Sequence, residues 1–151
     1  MNNCTKCELG SAGARTNCMQ SLYESAGVRD RVPRITLVIF SPSPEDDIAQ
    51  YPLSDYTIHN KTTGAQVVWD VVDQLHIPRR EVNVVPLVRC RAEKVSAEQT
   101  ITCLDYLWEE LRKYRPEIVV CMGLPVTKVL AGVGRLKTAR GMYGNFSLPR
   151  K

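Results

Sequence analysis

The chain has 151 residues, of which 44% are hydrophobic and 24% are charged, and its formal net charge is +4 at pH 7. These values are ordinary for one soluble globular domain, which we assign to residues 1–151. No apolar run reaches the roughly 18–20 residues of a membrane span, and the amino terminus lacks the apolar core of a signal peptide. We therefore expect a cytoplasmic protein without membrane contact, in which thiols stay reduced.

Apolar runs predict the strands of a central sheet. Three continuous runs, at 35–40, 82–88 and 118–121, are typical of strands buried on both faces. A weaker pattern at 142–148 predicts a last strand. Because helical patterns lie between the runs, the strands are expected to be parallel and joined by right-handed crossovers.

Helical patterns separate these strands. Residues 64–76 carry one apolar face, and Ser96 begins a second helix, with Gln99 three residues on as in a capping box. A third helix is predicted around Pro125, which suits a first helical turn. The apolar face of the first of these helices consists of Val67, Val68, Val71, Val72 and Leu75.

The alternation of strands and helices predicts the fold class. We expect an α/β protein with three layers, α/β/α, around a mainly parallel four-stranded sheet. Residues 1–34 precede the sheet as a loop-rich segment with one short helix at 17–26. The polar segment 41–63 is long for a connection, as functional loops often are. Ligands of such sheets bind outside the carboxyl ends of the strands, here residues 40–47, 88–93 and 122–125.

Six cysteines are the most informative residues. Cys4 and Cys7 form a C-x2-C pair near the amino terminus, and twelve residues separate Cys90 from Cys103. Four thiolates suit zinc or an iron–sulfur cluster. Because the second pair extends from a strand end into a helix, a cluster is favoured over zinc, and the absence of any metal is the third alternative. Two cysteines receive no ligand role, the unassigned Cys18 and the expected core residue Cys121.

Basic residues flank the expected cluster loop and the sheet edge. Contacts from such side chains to phosphates give salt-dependent, sequence-independent binding to DNA. The alternatives are solvated surface charges, or charges that offset an anionic cluster. The residues expected to face DNA are Arg89, Arg91, Lys94, Arg135, Lys137 and Arg140.

Several short motifs follow one another along nearly the whole chain. They are Cys4-x2-Cys7-x-Leu9, Ile35–Phe40, Arg89-Cys90-Arg91, Cys103-Leu-Asp-Tyr-Leu107, Arg115-Pro-Glu-Ile-Val-Val-Cys-Met-Gly123, Leu130-Ala-Gly132 and Ala139-Arg-Gly141. In this order they resemble the family 4, or iron–sulfur, uracil-DNA glycosylases. The resemblance implies a uracil-DNA glycosylase-like fold. It also implies a [4Fe-4S] cluster held by Cys4, Cys7, Cys90 and Cys103.

The same resemblance implies that the catalytic positions are degenerate in a truncated member. The family's motif Gly-Glu-Ala-Pro-Gly aligns with Ile39-Phe-Ser-Pro-Ser43, so Phe40 replaces the acidic residue. His59 stands where the family has a Phe that stacks on uracil, and Pro86 stands where an Asn reads the base edge. The chain stops at Lys151, before the family's His-Pro-Ser/Ala motif. The degenerate positions are Phe40, Ser41, Pro42, His59 and Pro86.

Replacement of these groups predicts the loss of base excision. Excision needs edge hydrogen bonds to a flipped base and electrostatic help at the glycosidic bond. We therefore expect a non-catalytic [4Fe-4S] protein that serves as an accessory module in replication, repair or transcription. Its partner would be DNA, single-stranded or bound without sequence preference, or another protein. A phage or mobile element is the expected source, which would place the protein in the host cytoplasm.

An active glycosylase with a rewired site is the alternative. Glu45, Asp46 or Asp47 would supply a carboxylate from the loop after the first strand. His59 or Asn60 would then stack on, or read, uracil or another deaminated base. The cluster itself would be structural, pinning the N-terminal segment to the body, or it would sense redox state.

Overall fold

A computed structural model describes residues 4–11, 18–55, 63–145 and 147–148 of the chain. Its centre is a parallel sheet formed by β1, Ile35–Ile39; β2, Val82–Pro86; and β3, Ile118–Cys121. The strands lie side by side in the order β2-β1-β3. In their shared register, Ile35 lies opposite Val82 on one side and Ile118 on the other.

Helices occupy the connections between the strands. The helix expected over 17–26 is confined to four residues in the structure, and residue 17 lies outside the described part of the chain. Among the described helices, none combines the length and apolar character of a membrane span. The helices are α1, Glu8–Ser11; α2, Leu22–Ser25; α3, Pro44–Ala49; α4, Gly64–Gln74; α5, Ala97–Tyr114; α6, Leu124–Ala131; and α7, Leu136–Ala139, with a 3₁₀ turn at Arg79–Glu81.

Polar capping motifs fix where the two longest helices begin. The Ser96 hydroxyl accepts a hydrogen bond from the Gln99 N–H, and the Gln99 side chain accepts one from the Ser96 N–H, at the start of α5. Thr63 and Gln66 form the same reciprocal pair at the start of α4. Each pair satisfies backbone donors that a helix leaves unpaired, so both starting points follow from the sequence.

The sheet separates two apolar clusters, because successive side chains of a strand point to opposite faces. Val38 packs in the cluster under α5, where Leu107 is fully buried. Leu37 packs in the opposite cluster, to which α4 contributes Trp69 and Val72. The expected order of layers, helix on sheet on helix, is therefore confirmed.

The expected fourth strand is wrong. Residues 142–145 and 147–148 carry no strand, and β3 pairs only with β1 in the part of the chain that is described. Met142 is 65% exposed and Tyr143 is fully exposed, so these side chains offer no apolar face to the sheet. Gly141, with φ +73°, also turns the chain just before them. Among the residues that the structure describes, the sheet therefore has three strands.

The apolar face expected on α4 is only partly correct. Val72 is buried and Val68 packs against the same cluster. The central position belongs instead to Trp69, whose indole N–H donates to the Leu53 carbonyl oxygen at 2.8 Å. The Trp69 ring fills the space under the helix, and three of the five residues of the predicted apolar face therefore lie on the exposed side. The exposed ones are Val67, 53%; Val71, 49%; and Leu75, 64%.

The segment 41–63, expected to be irregular, contains α3. The Ser43 hydroxyl accepts from the Asp46 N–H at 3.2 Å, and the Asp46 carboxylate accepts from the Ser43 N–H at 2.9 Å. Pro44 occupies the first helical turn, where its missing N–H is not needed. The sequence carried this signal, but two nearby prolines favoured a loop. Residues 56–62 lie outside the described part.

Candidate metal centre

The two predicted ligands from the middle of the chain lie near the carboxyl end of β2. Backbone pairing continues past the strand, because the N–H groups of Leu87 and Val88 each donate at 2.8 Å to carbonyl oxygens at the end of β1 and just beyond it. The next turn of the chain buries Cys90, which is 2% exposed. Cys103 lies on the buried side of α5 and is 3% exposed. Both thiols therefore face the interior.

The N-terminal pair is carried by a tight loop that includes α1. Cys4 is buried, and its Sγ lies 3.4 Å from the Tyr106 hydroxyl on α5. The Gly10 N–H donates to the Cys7 carbonyl oxygen at 3.1 Å. A Cβ at residue 10 would lie 2.0 Å from the Cys4 carbonyl oxygen, so only glycine lets the loop close this tightly. The loop holds Cys4 against α5.

Five thiols converge in this region, one more than predicted. Cys18 is hydrogen-bonded to Cys90 and Cys4. Cys103 lies close enough to Cys7 and Cys4 to be influenced by their charge. Within the described residues, no three His, Cys, Asp or Glu side chains are spaced to hold a single metal ion. The thiols are therefore neighbours without forming a preassembled ion site.

Contacts among the thiols shift the pKa values of two of them in opposite directions. The hydrogen bond with Cys90 lowers the pKa of Cys18 to about 6, the charges of Arg89 and Lys6 act in the same direction, and burial opposes them. The same hydrogen bond, together with burial, raises the pKa of Cys90. Cys18 is therefore the more acidic member of the pair, and the thiolate is the form in which cysteine binds metals.

Backbone contacts fix the segment that carries Cys18. The Met19 N–H donates to the Arg89 carbonyl oxygen at 2.8 Å, which lays this segment beside the cysteine loop after β2. Two residues further on, the Ser21 hydroxyl donates to the Glu110 carboxylate on α5. The residues that follow Cys18 are thus bound both to the loop after β2 and to α5.

Arg89 forms a buried polar group beside the thiols. Its Nη2 lies 3.2 Å from Glu110 Oε2, and its Cζ lies 4.8 Å from the centre of the Tyr106 ring. Its backbone N–H donates to the Cys103 thiol. Its Nε is buried and has no hydrogen-bond partner among the described residues. An unpaired buried donor is costly, so an anionic acceptor in this place would be stabilised.

These residues fit a [4Fe-4S] cluster. The donors are thiols from separate elements, and the buried Glu110 carboxylate on α5 is already occupied by Arg89 and Ser21. The backbone N–H and the unpaired Nε of Arg89 are the kind of donors that cluster and cysteine sulfur accept. When bound, such a cluster supplies a cross-link between elements and one-electron chemistry. The predicted ligands that would hold it are Cys4, Cys7, Cys90 and Cys103.

Sequence reasoning left Cys18 without a role and named neither Tyr106 nor Glu110 as site residues. The last two carried a signal, because they follow Cys103 by three and seven residues and so share its side of a helix. Cys18 had no such signal, since a loop carries it. Cys121 packs against the core at the end of β3, as expected, and burial raises its pKa.

The positions expected to be degenerate lie at the carboxyl ends of β1 and β2. Phe40 follows β1 and packs against the cluster under α5, while Pro42 is buried and Ser41 is half-buried. Pro86 is the last residue of β2 and is buried. Neither the Phe40 nor the Pro86 side chain has a polar atom that stabilises a cationic sugar or reads a base edge. His59 lies outside the described residues.

The carboxylates considered as replacements are engaged or lie on a helix surface. Asp46 is 3% exposed, and its two oxygens accept backbone N–H groups at 2.9 and 2.6 Å. Asp47 binds Arg91 Nε at 2.6 Å. Glu45 is half-buried in the first turn of α3. Asp46 therefore closes the loop around α3, and Asn60 lies outside the described residues.

The basic residues expected to face DNA differ in exposure and in pairing. Arg89 is 9% exposed and paired with Glu110, so this part of the expectation is corrected. Arg91 is paired with Asp47, and Lys94 is exposed. The remaining cations follow α6, which runs back along the sheet from β3 for about 12 Å. They are the exposed residues Arg135, Lys137 and Arg140.

Charge is distributed unevenly between the surroundings of Arg91 and Lys94 and the C-terminal segment that carries Arg135, Lys137 and Arg140. Residues 118–151 contain six Lys or Arg and no Asp or Glu. By contrast, the segments 41–47 and 91–94 at the carboxyl ends of the strands bring Glu45, Asp47 and Glu93 into the same region as Arg91 and Lys94. The C-terminal group is therefore the stronger attractor of anions.

Comparison with known proteins identifies the superfamily. No curated protein matches this chain. The sequence model of the uracil DNA glycosylase superfamily matches residues 27–149, a span that holds the whole sheet and two of the converging cysteines, Cys90 and Cys103. The match begins after the other three thiols of the group. Since it covers most of the sequence, the chain belongs to the uracil DNA glycosylase superfamily.

Proposed function

We propose that this chain is a uracil-DNA glycosylase-like domain that binds a [4Fe-4S] cluster, lacks base excision and binds DNA through its C-terminal cations. The observation that carries the proposal is the contrast between two neighbouring regions. Five thiols converge beside a buried unpaired donor of Arg89, whereas Phe40 and Pro86 occupy strand ends where base excision needs polar groups.

The cluster is supported by the chemistry of the donors. The thiols come from the α1 loop, the segment before α2, the loop after β2 and the buried side of α5. Each of these segments contributes at least one thiol, and thiolates select zinc, copper(I) or iron–sulfur centres. Separate elements and a basic, hydrogen-bonding surrounding favour the iron–sulfur centre.

Metal analysis tests the cluster directly. Protein purified without oxygen is expected to contain iron and acid-labile sulfide and to absorb visible light. Cys103→Ala should remove the iron because α5 then presents no thiol, whereas Cys121→Ala should keep it. Zinc in place of iron, or iron retained by Cys103→Ala, would contradict the proposal.

The absence of base excision follows from the replaced positions. Removing one preorganised donor at a reacting centre typically costs about 10²–10³-fold in rate. Two positions lack any polar side-chain atom, and the buried carboxylate Asp46 is held by backbone N–H groups. We therefore expect no release of base from single strands that contain uracil, hypoxanthine or xanthine. Release of any of the three above a protein-free control would restore the active-glycosylase alternative.

DNA binding is supported by the uneven charge and by the superfamily. The exposed cations Arg135 and Lys137 lie in a stretch of the sequence, 118–151, that contains no Asp or Glu, so no carboxylate side chain of this stretch competes for them. Arg91 is already paired with Asp47. The contacts would be made to the DNA phosphates, so the affinity would not depend on the base sequence.

A matched pair of double variants tests where DNA binds. Arg135→Gln/Lys137→Gln should weaken binding to a single-stranded oligonucleotide. It should also lower the slope of log K against log salt by about 1.4, since each phosphate contact to a single strand contributes about 0.7. Arg91→Gln/Lys94→Gln removes the same charge and should change the affinity little.

Equal losses in the two double variants would mean that net charge alone is responsible. No measurable affinity of the unmodified protein at low salt would leave a protein as the partner. Either result would overturn the DNA interface proposed for residues 135–140.

A further inference from the structure

We propose that Cys18 is a reserve ligand of the thiol site, able to take the place of Cys90. This inference rests on the proposed cluster. The inference goes beyond the proposed cluster because it assigns five thiols to a site that needs four. It also predicts that Cys90 is dispensable as a ligand, whereas Cys103 is not.

The first support is the position of Cys18. Its side chain lies close enough to those of Cys90 and Cys4 to interact with both, and these two predicted ligands come from distant parts of the chain. The backbone bond from the Met19 N–H to the Arg89 carbonyl oxygen fixes this position independently of any thiol contact. Replacing Cys90 therefore leaves a second sulfur in the same neighbourhood.

The second support is the set of cationic donors around the thiols. Lys6 Nζ lies 4.1 Å and Arg89 Cζ 4.8 Å from the centre of the Tyr106 ring, so both cations lie on the α5 side of the site. The unpaired Nε of Arg89 adds a buried donor in the same region. Sulfur bound to iron accepts such donors whichever cysteine supplies it.

The third support is the contrast with Cys103. This thiol projects from α5, an 18-residue helix, and lies 3% exposed beside the fully buried Leu107. Its backbone cannot move without disturbing the core. The remaining cysteine, Cys121, lies on β3 and packs against that core. The site therefore has a spare thiol on the Cys90 side and none on α5.

The exchange is a simple substitution of one sulfur for another. Cys18 gives up its proton to water and binds iron as a thiolate, in the position that Cys90 would otherwise fill. No oxidation, reduction or further reactant is required.

Alanine variants of the full-length chain, purified without oxygen, test the inference. Alanine is preferred to serine because a serine oxygen can itself bind iron. Iron, labile sulfide and visible absorbance are measured for Cys18→Ala, Cys90→Ala, the double variant and Cys103→Ala, with Cys121→Ala as the control. Far-ultraviolet circular dichroism checks that each variant is folded.

We expect Cys18→Ala and Cys90→Ala each to retain iron, and the double variant and Cys103→Ala to lose it. Loss of iron in Cys90→Ala alone would show that Cys18 is a spectator and would overturn the inference while leaving the cluster intact. Loss in Cys18→Ala alone would make Cys18 an obligatory ligand and would also overturn it. An iron-free unmodified protein would instead overturn the proposed cluster itself.

Discussion

Arg89 and Glu110 place a buried ion pair next to the thiols. Their side chains are only 10% and 7% exposed, and the facing atoms lie 3.2 Å apart. A buried pair of this kind adds little over an apolar pair of equal volume, but each partner depends on the other. Glu110 also accepts a hydrogen bond from Ser21, so it ties the N-terminal segment to the same pair.

Removing one partner should therefore be far more damaging than removing both. Glu110→Leu is expected to lower the free energy of unfolding by about 3–5 kcal/mol, because it leaves the Arg89 guanidinium buried without a counter-charge. Arg89→Met/Glu110→Leu should recover much of that loss. Urea-induced unfolding measures both variants.

The adjacent residue supplies a matched control for this experiment. Glu109 is exposed on α5, and the same change, Glu109→Leu, should leave the free energy of unfolding nearly unchanged. A loss in Glu110→Leu no greater than in Glu109→Leu would mean that the ion pair has no structural role.

At this level the sequence identified four of the five converging thiols. Cys4 and Cys7 were recognisable by their spacing, and Cys90 and Cys103 by their positions at a strand end and on a helix. Cys18 was not, because the loop that carries it is located by a backbone hydrogen bond to Arg89, and no local pattern encodes such a bond. The burial of Arg89 was missed for a related reason, since its partner Glu110 is distant in sequence.

Among the secondary-structure elements, α2 is attached to α5 by a small polar and aromatic contact. Glu24 binds the Lys113 ammonium and accepts a hydrogen bond from the Tyr114 hydroxyl at 3.0 Å. The rings of Tyr23 and Tyr114 meet edge to face, with centroids 5.4 Å apart. This contact holds residues 22–25 against the end of the longest helix.

The Glu24 contact should depend on pH. The hydrogen bond with Lys113 is the main cause of the lowered pKa of Glu24, burial opposes it, and Tyr114 assists. Because the folded pKa lies below the ordinary 4.5, the stabilisation is complete above that pH and is lost as the pH falls through the folded value. Glu24→Gln should therefore lower the free energy of unfolding by at most about 1 kcal/mol at pH 7, and by less near pH 3.

Urea unfolding at the two pH values measures this difference. Glu109→Gln, which removes an exposed carboxylate with no ion pair in the described structure, is the matched control and should show no such pH dependence. A Glu24→Gln effect that is as large at pH 3 as at pH 7 would attribute the loss to packing instead of charge.

The elements also show what sequence patterns can establish about the fold. The positions of β1 to β3 and the starts of α4 and α5 were predictable, because apolar runs and the capping residues Ser96 and Thr63 are local signals. The orientation of α4 was not predictable, because the buried side of the helix is centred on the Trp69 ring and its hydrogen bond instead of on the regular apolar stripe. The prediction of a last strand at 142–148 was wrong because a sequence pattern alone does not reveal whether a neighbouring strand is available for pairing.

For the molecule as a whole, the N-terminal segment is attached in two different ways. Residues 21–28 are held by contacts that need no metal, such as the Tyr23 N–H to the Asn83 side chain at 3.0 Å and the Tyr114 hydroxyl to the Val28 carbonyl oxygen at 2.9 Å. Residues 4–11 are attached through Cys4 and Lys6, both at Tyr106. Only the second attachment is expected to depend strongly on the cluster.

Removing the cluster should therefore loosen the chain selectively. After chelation under reducing conditions, we expect faster amide hydrogen exchange in residues 4–11, with residues 22–25 and α5 still protected. Mass spectrometry of peptides from the loaded and chelated protein measures this. Equal loosening of both N-terminal parts would mean that the cluster stabilises the whole segment, and unchanged exchange would mean that it anchors neither.

The outer side of β3 has a consequence for how the protein behaves in concentrated solution. Ile118 and Val120 are 48% and 39% exposed on the sheet face that α4 leaves uncovered there. No described residue pairs with the outer edge of β3, and an unpaired strand edge with apolar side chains is a template on which another extended chain can assemble. A lysine introduced at Val120 would be expected to delay aggregation without altering the thiol site on the opposite face.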